Sequence, residues 1–219
     1  MVTYDALRRD AAINTYITRA DESLSALGFT EHSFPHVCRV AELAGAALRT
    51  LGYGEREIEL ARIAAYLHDI GNLVNRTDHS QSGAVMAFRI LDHMDMDAED
   101  IATVVTAIGN HDEGTGVPVN AVAAALILAD KSDVRRNRVR NRDIATFDIH
   151  DRVNYSVEHS ALRVLPEEKV ALLELTVDTH FSSVMDFFEI FMKRMLLCRR
   201  AAERLGLRFQ LTINGQQLI

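Results

Sequence analysis

Histidine and aspartate residues recur along the first 130 positions of this 219-residue chain, mostly where predicted helices begin or end. The set comprises His36, His68, Asp69, His79, His111 and Asp130. All but Asp130 fall at or near a predicted helix end, where side chains from different helices can meet. Imidazole and carboxylate groups together bind divalent cations such as Mn, Fe, Zn or Mg, and the absence of cysteine from the set argues against a thiolate site. The pattern predicts a metal site with oxygen and nitrogen ligands.

Asp69 is the candidate for a carboxylate shared between two cations. His68 and Asp69 are adjacent and differ by about 100° around a helix, so both reach one centre only if it lies beyond the helix end. Gly71 predicts such an end, as a left-handed C-terminal cap. Because a carboxylate has two oxygens, Asp69 could bridge two metals about 3.5–4 Å apart, with a hydroxide between them as the nucleophile.

These residues carry a resemblance to a known family. Residues 68–71 (HDIG) resemble the signature of the HD superfamily of metal-dependent phosphohydrolases. Residues 36–40 (HVCRV) resemble the family's opening His-x-x-Arg-Val element, and residues 129–133 (ADKSD) resemble its closing aspartate element. Residues 79–83 (HSQSG) and 110–113 (NHDE) are similar to the extra histidine elements of members that hold two or more metals, such as HD-GYP-like and di-iron enzymes. The resemblance covers roughly residues 30–140.

The resemblance implies a ligand set and a reaction. A first metal would be held by His36, His68, Asp69 and Asp130, and a second by His79 and His111 with Asp69 shared. Two divalent transition-metal ions are expected, with iron or manganese favoured over zinc or magnesium. The implied reaction is hydrolysis of a phosphoester, in a nucleotide or another small phosphorylated substrate, by attack of a metal-bound hydroxide. No serine or cysteine triad is needed.

The sequence also departs from the pattern of its relatives. Residues 114–118 (GTGVP) only faintly resemble the Gly-Tyr-Pro loop of HD-GYP phosphodiesterases, and Asn110 stands where those enzymes have a second histidine, so a cyclic dinucleotide substrate is disfavoured. Asn72 occupies a position where many relatives carry lysine. These departures sustain an alternative function, a noncatalytic metal-containing HD module that binds a nucleotide or a protein partner.

Basic residues near Asp130 are candidates for the missing phosphate contact. Lys131 adjoins Asp130, and the stretch 135–142 contains five arginines. We expect Lys131 and an arginine at the start of this run, Arg135 or Arg136, to bind the substrate's phosphate from a helix extending to residue 137. The predicted catalytic residues are therefore Asp69, Lys131 and Arg135. The alternative interpretation of the arginine run is a solvated helix face.

The fold class predicted from hydrophobic periodicity is mainly α, an HD-type helical bundle followed by a small α+β unit. Residues 1–145 show apolar spacing of three and four, which predicts helices at roughly 4–26, 35–51, 55–70, 79–93, 97–111 and 119–137. Residues 146–219 change pattern. Alternation predicts strands at 170–178 and 207–213, joined by a helix at 183–205 in a parallel crossover, and a hairpin of 160–165 with the first strand. We expect this unit to serve self-association, as in a homodimer, or regulation.

Composition narrows the classes of partner. The formal net charge of −7 disfavours extended nucleic acid and acidic membranes, because both require an excess of Lys and Arg. The longest apolar run, residues 121–129, is about half the length of a membrane span. No signal peptide is evident after Met1, so we expect a cytoplasmic protein. Cys38 and Cys198 are interpreted as buried free thiols.

Overall fold

The first two thirds of the chain form helices that surround a central one. The computed structural model describes all 219 residues. The α-helices are α1 (Tyr4–Arg9), α2 (Ala11–Ala26), α3 (Phe34–Thr50), α4 (Glu55–Leu67), α5 (His79–His93), α6 (Ala98–Gly109), α7 (Ala121–Ser132), α8 (Ile149–Ser156) and α9 (Val184–Arg204). Short 3₁₀ helices lie at Ile70–Leu73, Arg136–Arg138 and Ile144–Thr146. The predicted helices at 35–51, 55–70, 79–93 and 97–111 are confirmed to within three residues.

The apolar sequence of α7 is explained by its position. Every residue from Val122 to Ser132 is buried, and the helix packs against α3, α4, α6 and α9. A helix that is hydrophobic on all sides belongs in the interior of a protein. The same sequence is too short for a bilayer, and none of the helices is long and apolar enough to cross a membrane.

Two predicted helix boundaries were wrong. The helix expected over 4–26 is divided at Asp10, whose side chain leaves the helix and accepts hydrogen bonds from the backbone N–H groups of Ala12 and Ile13, starting α2. The helix expected over 119–137 ends at Ser132, because Asp133 adopts non-helical angles (φ −81°, ψ 68°). Arg135 therefore does not lie on the same helix as Lys131.

Gly71 was also misinterpreted. Gly52 has the left-handed conformation expected of a helix cap (φ +80°), but Gly71 does not have a positive φ. Its role is close approach: a Cβ atom at Gly71 would lie 2.0 Å from the carbonyl oxygen of His79 and 2.4 Å from the backbone nitrogen of Gly83. The absence of a side chain lets the turn after α4 contact the first turns of α5.

The predicted C-terminal topology is confirmed. Strands β1 (Val157–Leu165) and β2 (Val170–Val177) form the antiparallel hairpin, α9 returns the chain, and β3 (Arg208–Ile213) pairs parallel to β2, with β4 (Gln216–Gln217) at the far edge. The short helix α8 was not predicted. One hydrophobic cluster of 54 residues includes side chains from both the helical part and the α+β part, since the buried face of α9 packs on α7. The core thus continues across residue 145.

Candidate metal centre

The six predicted ligands come together at one end of the bundle. His36 lies in the first turn of α3, His68 and Asp69 follow the last turn of α4, and His79 is the first residue of α5. Beyond them, His111 follows α6 and Asp130 is in the last turn of α7. Each side chain is buried, with no residue more than 8% exposed. Helix ends from five elements thereby enclose a small polar cluster within the apolar bundle.

One half of the cluster surrounds His36 and His68. Their Nε2 atoms are 3.3 Å apart, and the Nε2 atom of His36 lies 3.4 Å from Oδ1 of Asp130. The Nε2 atom of His68 is 3.1 Å from Oδ2 of Asp69. His36, His68 and Asp130 all have a ligand atom within 4.8 Å of the others, a separation that one cation could span.

The other half surrounds His79 and His111, whose Nε2 atoms are 3.1 Å apart. Here the nearest carboxylate oxygen is Oδ1 of Asp69, 3.5 Å from Nε2 of His79, whereas Oδ2 of the same residue faces His68. The two oxygens of Asp69 thus face different halves of the cluster, as its predicted bridging role requires. His68, Asp69 and His111 form a second group with mutual separations below 4.8 Å.

The hydrogen bonds of the four histidines show that the cluster fits cations. The Nδ1 atoms of His68, His79 and His111 contact the backbone carbonyls of Ala65, Arg76 and Ile108. That of His36 contacts the carboxylate of Asp133 at 2.8 Å. A carbonyl or carboxylate oxygen only accepts, so each Nδ1 carries the proton and each neutral ring presents the lone pair of Nε2. Lone pairs that face one another at 3.1–3.3 Å need a shared cation, and a metal ion satisfies the whole set.

Without a metal, protons take the place of the cation. Burial alone lowers the pKa of His68, but the carboxylates of Asp69 and Asp130 outweigh this effect and raise the pKa to about 10. Burial lowers the pKa of His111 and of His79, so these two rings stay neutral. Burial raises the pKa of Asp69, yet the neighbouring His68 holds it well below its usual range. Burial likewise raises the pKa of Asp130, but Lys131 outweighs this effect and holds that pKa well below its usual range, so both aspartates are ionised and available as ligands.

Asn72, which stands where many relatives carry lysine, forms hydrogen bonds to Asp69. Its side-chain amide donates hydrogen bonds to the backbone oxygen and to Oδ1 of Asp69, both at 2.9 Å. Arg76 in turn donates to the side-chain oxygen of Asn72 at 3.3 Å. Asn72 thus orients a metal ligand, and the nearby positive charge comes from Arg76.

Lys131 is held between two carboxylates. Its Nζ atom lies 2.7 Å from Oδ2 of Asp130 and 2.7 Å from Oε2 of Glu113. Burial lowers the pKa of Lys131, but these carboxylates outweigh it and raise the pKa above its usual value. An ammonium group has three N–H donors, so one remains for a substrate oxygen. Glu113 also accepts the guanidinium of Arg194, at 3.5 Å, which connects α9 to the cluster.

A cavity of about 420 Å³ opens above the cluster. Its floor includes Asp69, His79, His111 and Asp130, and its wall includes four basic side chains, Arg76, Lys131, Arg138 and Arg194. Of the predicted phosphate-binding residues, Lys131 lines this cavity and Arg135 does not. The side chain of Arg135 is instead directed to Asp133, with Nη2 3.0 Å from Oδ2. His150 of α8 also lines the cavity.

Sequence reasoning missed two cavity residues. His32, which lies outside every sequence motif, lines the cavity with its ring edge-on to that of His36, 5.5 Å between centroids. Arg194 lies in α9, far from every motif, and its buried Nε atom has no hydrogen-bond partner. Helical periodicity marks Arg194 only as one polar residue among many, so no local signal distinguishes it.

Comparison with known proteins identifies the family of the chain. A model of the HD domain family matches residues 34–153, more than half of the chain. An uncharacterized protein of Methanocaldococcus jannaschii is 26% identical over 192 residues, which are 77% of this chain and 74% of the relative. The crystal structure of a predicted HD superfamily hydrolase from an uncultured Thermotogales bacterium is 25% identical with a TM-score of 0.45, over 60% of this chain and 73% of that one. The chain belongs to the HD domain family of metal-dependent hydrolases.

Proposed function

We propose that the protein hydrolyses a phosphoester bond in a nucleotide or another small phosphorylated molecule. One observation carries the proposal: four members of the buried histidine and aspartate cluster, Asp69, His79, His111 and Asp130, line a cavity whose wall holds four basic side chains. Divalent cations held in the cluster would supply an activated water and offset the charge that develops on phosphoryl oxygens. Basic side chains above such a floor suit an anionic substrate.

The arginines on the cavity wall are placed to bind phosphoryl oxygens. Arg76 lies beside one half of the cluster, with Nη1 3.5 Å from Nε2 of His79 and 4.0 Å from Oδ1 of Asp69. Arg194 lies beside Lys131 through their common partner Glu113, and its unpartnered Nε atom needs an acceptor. Guanidinium groups bind phosphate through parallel hydrogen bonds, so they fix its orientation as well as its charge.

The size and charge of the cavity favour a small substrate. A volume of about 420 Å³ falls within the usual range for small-molecule sites, roughly 300–1,000 Å³, and suits a molecule of nucleotide size. Two acidic residues at the N-terminus of α8, Asp148 and Asp151, also line the cavity and would repel the phosphate backbone of an extended nucleic acid. We infer that one phosphorylated group enters the basic, inner part of the cavity while the rest of the substrate faces α8.

The test of this function begins with the metal. Purified protein is subjected to elemental analysis and then assayed with the metal found, and with Mn²⁺, on a chromogenic phosphoester and a panel of nucleotides. We expect turnover that chelation abolishes. Asp69→Ala should remove both turnover and most of the metal, since it deprives both halves of the cluster of a ligand. Metal bound in stoichiometric amounts without turnover of any substrate would instead favour the noncatalytic binding module.

A second experiment tests the phosphate contacts. Arg194→Ala is expected to lower kcat/KM by roughly ten- to a hundredfold, the value of a hydrogen bond between charged groups of about 1.5–3 kcal/mol, with metal content unchanged. Arg163→Ala is the control, because Arg163 pairs with Glu174 on the exposed surface of the hairpin. A kcat/KM within twofold of wild type for Arg194→Ala would remove α9 from the substrate site.

A further inference from the structure

Asp133 is a fully buried carboxylate just outside the ligand cluster. It accepts a hydrogen bond from Nδ1 of His36 at 2.8 Å. Arg39 approaches the other oxygen, with Nε 3.0 Å from Oδ1, and Arg135 donates to both oxygens. Arg138 adds a fourth contact, with Nη1 3.6 Å from Oδ2 and a hydrogen bond to the backbone oxygen of Asp133 at 2.7 Å. One carboxylate is thus surrounded by three arginines and one histidine ligand.

This arrangement distinguishes His36 from the other three histidines. The Nδ1 atoms of His68, His79 and His111 each contact a backbone carbonyl three residues earlier in the chain. Such contacts form wherever the local backbone places the ring. His36 has no local acceptor, and its partner is 97 positions away in the sequence. Its orientation therefore depends on one side chain.

We propose that Asp133 is the positioning residue that fixes the tautomer and orientation of His36, so that its Nε2 lone pair points into the ligand cluster. The inference rests on the metal binding of the proposed function and assigns a role to a residue outside the six proposed ligands. Carboxylates that accept the second ring N–H of a metal-bound histidine raise its basicity and orient the ring. Asp133 binds no metal itself.

The three arginines around Asp133 stabilise its buried negative charge. An ionised group that is buried without partners costs several kcal/mol, and planar guanidinium groups offset the charge while filling its remaining lone pairs. Arg39 comes from α3, whereas Arg135 and Arg138 come from the segment that follows α7. Arg39 also donates to the backbone oxygen of Ser160 in β1, at 3.1 Å. The support of His36 therefore extends from the helical bundle into the C-terminal sheet.

Replacing the carboxylate with an amide tests the assignment. In Asp133→Asn the side-chain NH₂ group can face His36 and donate to Nδ1, which leaves the proton on Nε2 and blocks the lone pair. We expect the affinity for Mn²⁺ to fall about 10- to 100-fold, as for other residues that support a metal-bound histidine. A merely structural change would lower the melting temperature of the metal-free protein and leave the affinity alone.

Metal-free protein is titrated with Mn²⁺ by calorimetry, without substrate, for wild type, Asp133→Asn and Asp100→Asn. Asp100 is a matched control, because it pairs with Arg56 at the opposite ends of α6 and α4 from the cluster. The proposal predicts weaker binding in Asp133→Asn alone. Equal affinity in Asp133→Asn and wild type overturns it, whereas a wild type that binds no metal overturns the proposed function first.

A second measurement tests the same proposal on the wild-type protein, so it can be made even if Asp133→Asn fails to fold. Long-range ¹H–¹⁵N spectra of wild-type protein loaded with Zn²⁺ identify which nitrogen of His36 is protonated. We expect the proton on Nδ1, in a hydrogen bond to Asp133. A proton on Nε2, or a Nδ1 atom without one, contradicts the assignment.

Discussion

Replacing Gly71 with alanine is expected to disrupt the metal centre, although Gly71 binds no metal. The new Cβ atom would lie 2.0 Å from the backbone oxygen of His79, 2.4 Å from the backbone nitrogen of Gly83 and 2.6 Å from Oγ of Ser82. The first two are backbone atoms of α5 and cannot rotate away. The clash can be relieved only by moving the turn after α4 away from α5.

The size of that movement follows from the contact distances. Non-bonded heavy atoms are in favourable contact at about 3.5–4 Å, so the turn and α5 must separate by roughly 1 Å or more. His79 begins α5, and its Nε2 atom lies 3.5 Å from Asp69 and 3.1 Å from His111. Metal–ligand distances tolerate only about 0.2 Å. The variant should therefore lose the half of the cluster that contains His79, and overpacking should cost about 1–3 kcal/mol of stability or more.

Thermal unfolding of the metal-free protein and elemental analysis after loading measure the two effects. For a chain of this length each kcal/mol lowers Tm by about 2–4 °C. Gly109→Ala is the control, because its Cβ atom would meet the Cβ of Ala84 at 3.6 Å, an ordinary contact, and alanine favours the helical conformation of α6. Its stability should equal that of wild type or exceed it. A Gly71→Ala protein with wild-type Tm and full metal content would refute the reasoning.

Three further predictions concern the cluster and its support. His79→Ala should lower the metal stoichiometry from about two ions toward one with the fold intact, and saturation of wild type by one equivalent would show that only one ion binds. In metal-free protein the raised pKa of His68 stabilises the fold below pH 6.5, and this stabilisation is lost as pH rises toward about 10. Denaturant unfolding across that interval should show a falling free energy, and a flat profile contradicts it. A chain ending at Thr146 lacks α9 and should not fold, since a buried face of α7 becomes exposed; a folded fragment with full metal content would contradict this.

The convergence of the six candidate ligands could be predicted because its signal is local. Each of His36, His68, His79 and His111 lies at or near a helix end, and helix periodicity, together with residue type, marks those positions in the sequence. Their convergence follows from the bundle itself, since α3, α4 and α6 pack around α7 and α5 packs against α6. The resemblance to HD elements added the order in which the ligands occur. For these residues sequence and tertiary structure agree.

Arg135 shows where local reasoning fails. Apolar and basic residues beyond Ser132 continue the helical pattern, but Asp133 turns out of the helix and pairs with His36 and three arginines. Burying Asp133 with these partners outweighs the helix preference of the segment, which is worth only tenths of a kcal/mol per residue. Contacts between residues that are far apart in the sequence leave no periodic pattern of apolar and polar residues. The helical pattern therefore places the arginine run wrongly: Arg135 contacts Asp133, whereas Arg138 of the same run lines the cavity.

The C-terminal unit is a second case in which local sequence patterns do not reveal contacts between distant parts of the chain. Its strands and crossover were predictable from alternation, yet no motif indicates that Arg194 of α9 and Asp151 of α8 line the cavity. The metal ligands all come from α3 to α7 and the turns between them, whereas α8 and α9 form the opposite wall. Under the proposed function, the cations would be held by the first part of the chain, whereas α8 and α9 would contribute to substrate binding. Family members that share the six ligands but differ after α7 are expected to act on different substrates by the same hydrolytic reaction, because the wall that contacts the substrate changes while the cluster does not.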